Sequence, residues 1–111
     1  MKAKEMNMLL EMRFPELKNT IVDEISWQEG YDTGAHTVYG DVLYPYLQNA
    51  IQINDINVIE KIFSFIEEIL VSNDDYGVNV VQLSVLEGLV VNGEIKNRMG
   101  RATRDALEAT E

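Results

Sequence analysis

The chain of 111 residues has no cysteine, which excludes a disulfide framework, a thiolate metal site and a cysteine nucleophile. Histidine is reduced to His36, tryptophan to Trp27 and proline to two residues. One histidine cannot supply a His-Glu-x-x-His ligand pair, so neither metal nor cofactor is expected. No apolar run approaches the ~20 residues that a membrane-spanning helix needs. The opening residues carry Glu5, Asn7 and Glu11 where an export leader would be continuously apolar, so they read as a helix and the expected compartment is the cytoplasm.

Basic residues are scarce as well. Nine Lys and Arg face nineteen Asp and Glu, for a formal net charge of −10, the wrong sign for a nucleic-acid backbone or an anionic membrane. The imbalance is concentrated: residues 19–95 hold thirteen acids and one base, Lys61, whereas each end of the chain is slightly basic. Solubility accounts for some of this acidity. A concentrated negative surface also steers a basic protein partner toward it.

What is present is apolar periodicity. At 46% hydrophobic residues the chain has enough apolar surface to form a single folded domain over residues 1–111. After Asn54 and Asp55, Ile56, Ile59, Phe63, Ile66 and Leu70 recur at intervals of three and four, which predicts an amphipathic helix capped by one of those two polar residues. Residues 76–91 alternate like a strand at Val81, Leu83 and Val85 and also follow helical spacing; their length favours a helix, capped by Asp74 or Asp75.

Residues 3–12 predict a short helix, and Pro15 opens a second whose inner face is Leu17, Ile21, Val22 and Ile25. Residues 29–35, with Gly30 and Gly34, predict the one substantial loop. Residues 39–53 resume helical spacing, with Pro45 in an early turn or at a kink. Asn92-Gly93 and Gly100 separate two short C-terminal helices. The expected fold is all-α, a compact bundle of five to six helices.

Four pieces carry a family resemblance: Phe14-Pro15-Glu16-Leu17; Tyr39-Gly40-Asp41-Val42-Leu43-Tyr44-Pro45-Tyr46-Leu47; Ile62-Phe63-Ser64-Phe65-Ile66-Glu67 with Val85-Leu86-Glu87-Gly88-Leu89; and Met99-Gly100-Arg101-Ala102-Thr103-Arg104. Together they resemble a small acidic helical family of bacteria similar to immunity proteins of contact-dependent or polymorphic toxin systems. The resemblance implies HEAT-like antiparallel helix pairs and a non-enzymatic protein that binds a cognate toxin domain and blocks its active site. Many such toxins cut nucleic acid with a basic groove, which an acidic surface fills. Arg101 stands where the family pattern leads one to expect proline.

The residues offer little chemistry. His36 has no partner constellation in sequence and reads as loop packing; Ser26, Ser64, Ser72 and Ser84 lie in no nucleophile elbow. Residues 73–77 lack the alternating ligands of a calcium loop and suit helix capping. Arg98, Arg101 and Arg104 predict local ion pairs with Glu94, Asp105 and Glu108.

The binding candidates are Glu29, Tyr31, Asp32, Tyr39, Asp41 and Tyr44, with Asp74, Asp75 and Tyr76 as a second acidic and aromatic corner. Aromatics provide rigid contact area and carboxylates provide register. Trp27, Tyr39 and Tyr46 suit either the core or the interface. The expected function is an immunity protein neutralising a basic nuclease toxin; the alternative is a helical adaptor with an unrelated protein partner.

Overall fold

A computed structural model describes residues 1–111. Its helices are α1 (Ala3–Arg13), α2 (Lys18–Ile25), α3 (Ala35–Val38), α4 (Tyr44–Gln52), α5 (Ile56–Val71), α6 (Asp75–Val81), α7 (Gly93–Lys96) and α8 (Arg101–Thr110). Because α3 and α4 are continuous through a wide π turn at Tyr39–Leu43, the chain forms seven helical rods and no strand. No helix is long and apolar enough to cross a membrane.

The longest apolar run forms the central helix. Ile59, Ile62, Phe63, Phe65, Ile66 and Ile69 of α5 are buried, and α4, α6 and α8 pack around them. Turns of three residues on either side of α5 place Asn54 and Asn73 in the left-handed region, each at φ 58°, a conformation that asparagine tolerates better than most residues. Asp55 and Asp74 follow them and cap the next helices, accepting from Val58 N at 3.3 Å and Gly77 N at 2.7 Å. These bonds satisfy otherwise orphaned N–H groups.

Phe14, at the start of the Phe-Pro break, is fully buried and meets Phe65 edge-on at 5.4 Å. Burial of one such ring contributes about 1.5–3 kcal/mol. Lys61 and Arg13 lay their charged ends over Phe14 and Phe65, at 4.9 Å and 5.2 Å from the ring centres. The core is one contiguous apolar cluster that joins α1 to α8.

Pro45 explains the first π turn. It has no N–H to donate and its ring crowds the carbonyl four residues back, and just before it the Tyr44 N–H reaches Tyr39 O, five residues earlier. A second π turn, Gln82–Leu86, closes with Glu87 N on Gln82 O at 2.9 Å. The two wide turns lie against each other.

Three sequence expectations change. The helix expected from residue 39 starts at Ala35, so the loop ends at Gly34 and contains a 3-10 turn at Gly30–Asp32. The helix expected over 76–91 ends at Leu86, where the second π turn and Gly88 redirect the chain. Val22, expected inside, is 39% exposed, because the short α2 has only one buried stripe, through Ile21 and Ile25.

Candidate protein-binding surface

The surface is organised by one buried amide. Asn7 of α1 is fully buried, and its side-chain N–H groups donate to the carbonyls of Tyr31 at 3.0 Å and Thr33 at 2.7 Å. Thr33 Oγ1 accepts from Glu29 N at 3.2 Å and donates to Gly30 O at 2.6 Å. Tyr31 Oη donates to Glu11 at 2.5 Å, an interaction that raises the phenol above its usual value by favouring its protonated form. The segment between α2 and α3 is therefore pinned from beneath, leaving Glu29 and Asp32 exposed.

The sequence candidates separate into different roles. Tyr39 is corrected from interface to core. It is fully buried, its ring stacks on Phe65 at 6.3 Å, and its hydroxyl donates to Met6 O at 2.6 Å. An apolar ring with its one polar atom satisfied is stable inside, and here burial holds the phenol far above its usual value. Tyr46 is half-buried, donating to Glu16 at 2.7 Å, and its phenol is pushed up to about 12 by burial and by that carboxylate. Trp27, by contrast, is 73% exposed at the end of α2.

Asp41 is exposed and its carboxyl lies beside the Glu24 carboxyl of α2, which takes a bond from Gln28 Nε2 at 3.1 Å. Partial burial and the adjacent Asp41 raise Glu24 above the ordinary carboxylate range. This like-charge contact lies where α2 packs against the first π turn. Sequence reasoning missed Glu24 as a site residue because its neighbour comes from a different helix.

The second corner is partly committed elsewhere. Asp74 bonds the Met1 ammonium as well as capping α6, and these bonds lower its carboxyl below the usual range. Tyr76 Oη accepts from Ala35 N at 3.0 Å, so the corner adjoins α3, which also touches α2. Asp75 is exposed. Tyr44 is half-buried, and its hydroxyl accepts from Gln48 at 2.9 Å.

His36 and Ser84, unremarkable apart in the sequence, meet with Nδ1 2.8 Å from Oγ. Serine catalysis also needs an acid orienting the second ring nitrogen and donors for an oxyanion. His36 has no such acid partner, its ring instead meets Tyr76 edge-on at 6.0 Å, and neither residue lines any of the five surface concavities. The pair braces α3 against the second π turn.

The charge pattern is the main feature. Seven ion pairs join Met1–Asp74, Arg13–Glu68, Lys61–Glu16, Lys96 with Glu108 and Glu111, and Arg98 with Glu60 and Glu94. The arginine tail thus pairs partly as expected, although Arg101 and Asp105 make no ion pair and Arg104 donates to Lys96 O. None of the seven includes Asp23, Glu24, Glu29, Asp32, Asp41 or Asp55. No base occurs between Lys18 and Lys61, and folding brings none to these six carboxylates.

A family model described as a domain of unknown function, DUF7674, matches residues 7–110; the chain belongs to that family. No curated protein and no solved structure matches the chain.

Proposed function

We propose that this DUF7674 member is an immunity protein that binds a cognate toxin domain, a basic nuclease, and occludes its active site. The observation that carries the reading is the set of six carboxylates from Asp23 to Asp55 that fold without a cationic partner, with the exposed Trp27 among them in the chain. Unpaired surface carboxylates accelerate encounter with a basic groove. An exposed tryptophan supplies the large rigid area typical of a dominant interface residue.

Glu24 and Asp41 suit a guanidinium or ammonium from the toxin, which would relieve their mutual repulsion. Asp23, Glu29 and Asp32 extend the negative field on the α2 side, and Asp75 extends it on the α6 side. No chemistry by this chain is required: a plug in the groove excludes the toxin's substrate.

The test mixes this chain with the protein encoded by the adjacent gene. Because Trp27 is the sole tryptophan, its emission reports burial directly. The expected result is a blue shift on complex formation, with Asp41→Lys weakening association more at low salt than at high salt. Unchanged emission and unchanged affinity of Asp41→Lys and Trp27→Ala would overturn the surface, and absence of any complex would overturn the immunity reading.

A second reading, a helical adaptor, draws on α1. Met8 and Met12 are 50% and 70% exposed and line a shallow groove with Leu9, Glu5 and Glu11. Methionine surfaces adapt to varied partners, and an unrelated partner seated there with Trp27 still exposed would favour this reading.

A further inference from the structure

After the second π turn the chain is non-helical over residues 87–92. Glu87 and Asn92 both have extended backbone, at φ −64°, ψ 126° and φ −82°, ψ 174°, and residues 89–92 neither turn nor bend between them. Exposure alternates, with Leu89 at 8%, Val90 at 88%, Val91 half-buried and Asn92 exposed. That is the two-residue period of extended backbone. Gly88, at φ 83°, makes the turn that enters it, and its carbonyl accepts a long bond from Tyr44 Oη at 3.4 Å.

This extended segment has no backbone partner. The N–H groups of Val90 and Val91 and the carbonyls of Leu89, Val90 and Val91 make no hydrogen bond within the chain, a row of unpaired groups of the kind that templates strand addition. Beside it, Gln48, Ile51 and Gln52 of α4 form a shallow groove of about 360 Å³ with Gly88, Leu89 and Val90.

We infer that residues 89–92 are a docking edge that captures an extended segment of a partner protein by β-strand addition. The backbone of the segment pairs with the N–H and carbonyl of Val90, which share one edge and belong to the most exposed residue of the docking edge, and a small apolar side chain enters the groove beside Ile51. Glu87 is exposed and makes no ion pair, and Glu94 is held only by Arg98 at 3.9 Å. These two acids bracket the edge and select lysine or arginine at the ends of the segment. A second copy of this chain is disfavoured as occupant, because pairing like edges crowds Glu87 and Glu94 and joins two bodies each of charge −10. The edge stands independently of the immunity reading.

The test is amide hydrogen exchange and chemical-shift mapping of the full chain with a short peptide of alternating valine and threonine ending in lysine on both sides. The expected result is slowed exchange at Val90. Binding should weaken about tenfold with an N-methylated peptide or with Val90→Pro, fall with Glu87→Lys and persist in Trp27→Ala. The Val90→Pro fold is checked by its unchanged shifts in α5. Equal binding of the N-methylated peptide, no protection of the Val90 amide, or protection appearing with self-association instead would each overturn the inference.

Discussion

Glu67 of α5 caps α8 across the bundle, and Gly100 is the residue that lets it in. The Glu67 carboxylate accepts from Ala102 N at 3.1 Å, Thr103 N at 2.8 Å and Thr103 Oγ1 at 2.7 Å. A Cβ on residue 100 would lie 2.5 Å from Glu67 Oε1 and 2.9 Å from its Cγ. An anion at a helix N-terminus satisfies free N–H groups and complements the helix dipole. Here that anion comes from another helix, so one contact both starts α8 and fastens it to the core.

Gly100→Ala should therefore displace the Glu67 carboxylate and cost about 1–3 kcal/mol. Thermal unfolding of Gly100→Ala, Glu67→Ala and the double variant checks this: the two losses should be far from additive because they remove the same cap. Gly93→Ala, with nothing near its Cβ position, is the control and should melt close to the parent.

Acid should destabilise the fold through the same carboxylate. Partial burial alone would raise Glu67, but the bonds from Thr103 and Ala102 outweigh it and the carboxyl is lowered. Glu68 is lowered by Arg13. A folded-state value below the unfolded value of about 4.3 gives stability that is full above the unfolded value and lost as pH falls through the folded one. Urea unfolding across that window should show a steeper acid limb for the parent than for Glu67→Gln.

Glu24 should act with the opposite sign. Its carboxyl is raised by partial burial and by Asp41, so the folded state holds the proton longer than the unfolded chain and its contribution falls as pH rises from the unfolded value through the folded one. Asp41→Asn should slightly raise stability at neutral pH while weakening toxin association. The gain is small because solvent screens the pair. A loss of stability in the same urea series would contradict it.

Tyr39 should act on stability and Trp27 on binding. Tyr39→Phe removes the bond to Met6 O and should cost about 1 kcal/mol, and Tyr39→Ala about 3–5 kcal/mol. Trp27→Ala should leave the melting temperature within a few tenths of a kcal/mol equivalent and reduce partner affinity. Calorimetric unfolding and titration of the same variants separate the two effects.

Asn7→Asp should release the segment between α2 and α3. A carboxylate cannot donate to the Tyr31 and Thr33 carbonyls and would face both, so a loss of about 2–3 kcal/mol is expected. Faster amide exchange at Thr33 and around it, with α5 protection intact, is the measurement.

The sequence by itself determined the helical class, the central amphipathic helix, the placing of helix caps at Asn54-Asp55 and at Asp74-Asp75, and the concentration of negative charge in residues 19–95. Each follows from composition or from spacing along the chain, and periodicity survives folding because the same stripe that repeats every three to four residues is the stripe that is buried. Tertiary structure alone decided that Tyr39 lies inside while Trp27 lies outside, that Glu24 meets Asp41, that Glu67 caps α8, and that Val90 and Val91 lack backbone partners. Those outcomes depend on which distant groups arrive within hydrogen-bonding reach once the rods pack, a relation between helices that local spacing does not encode.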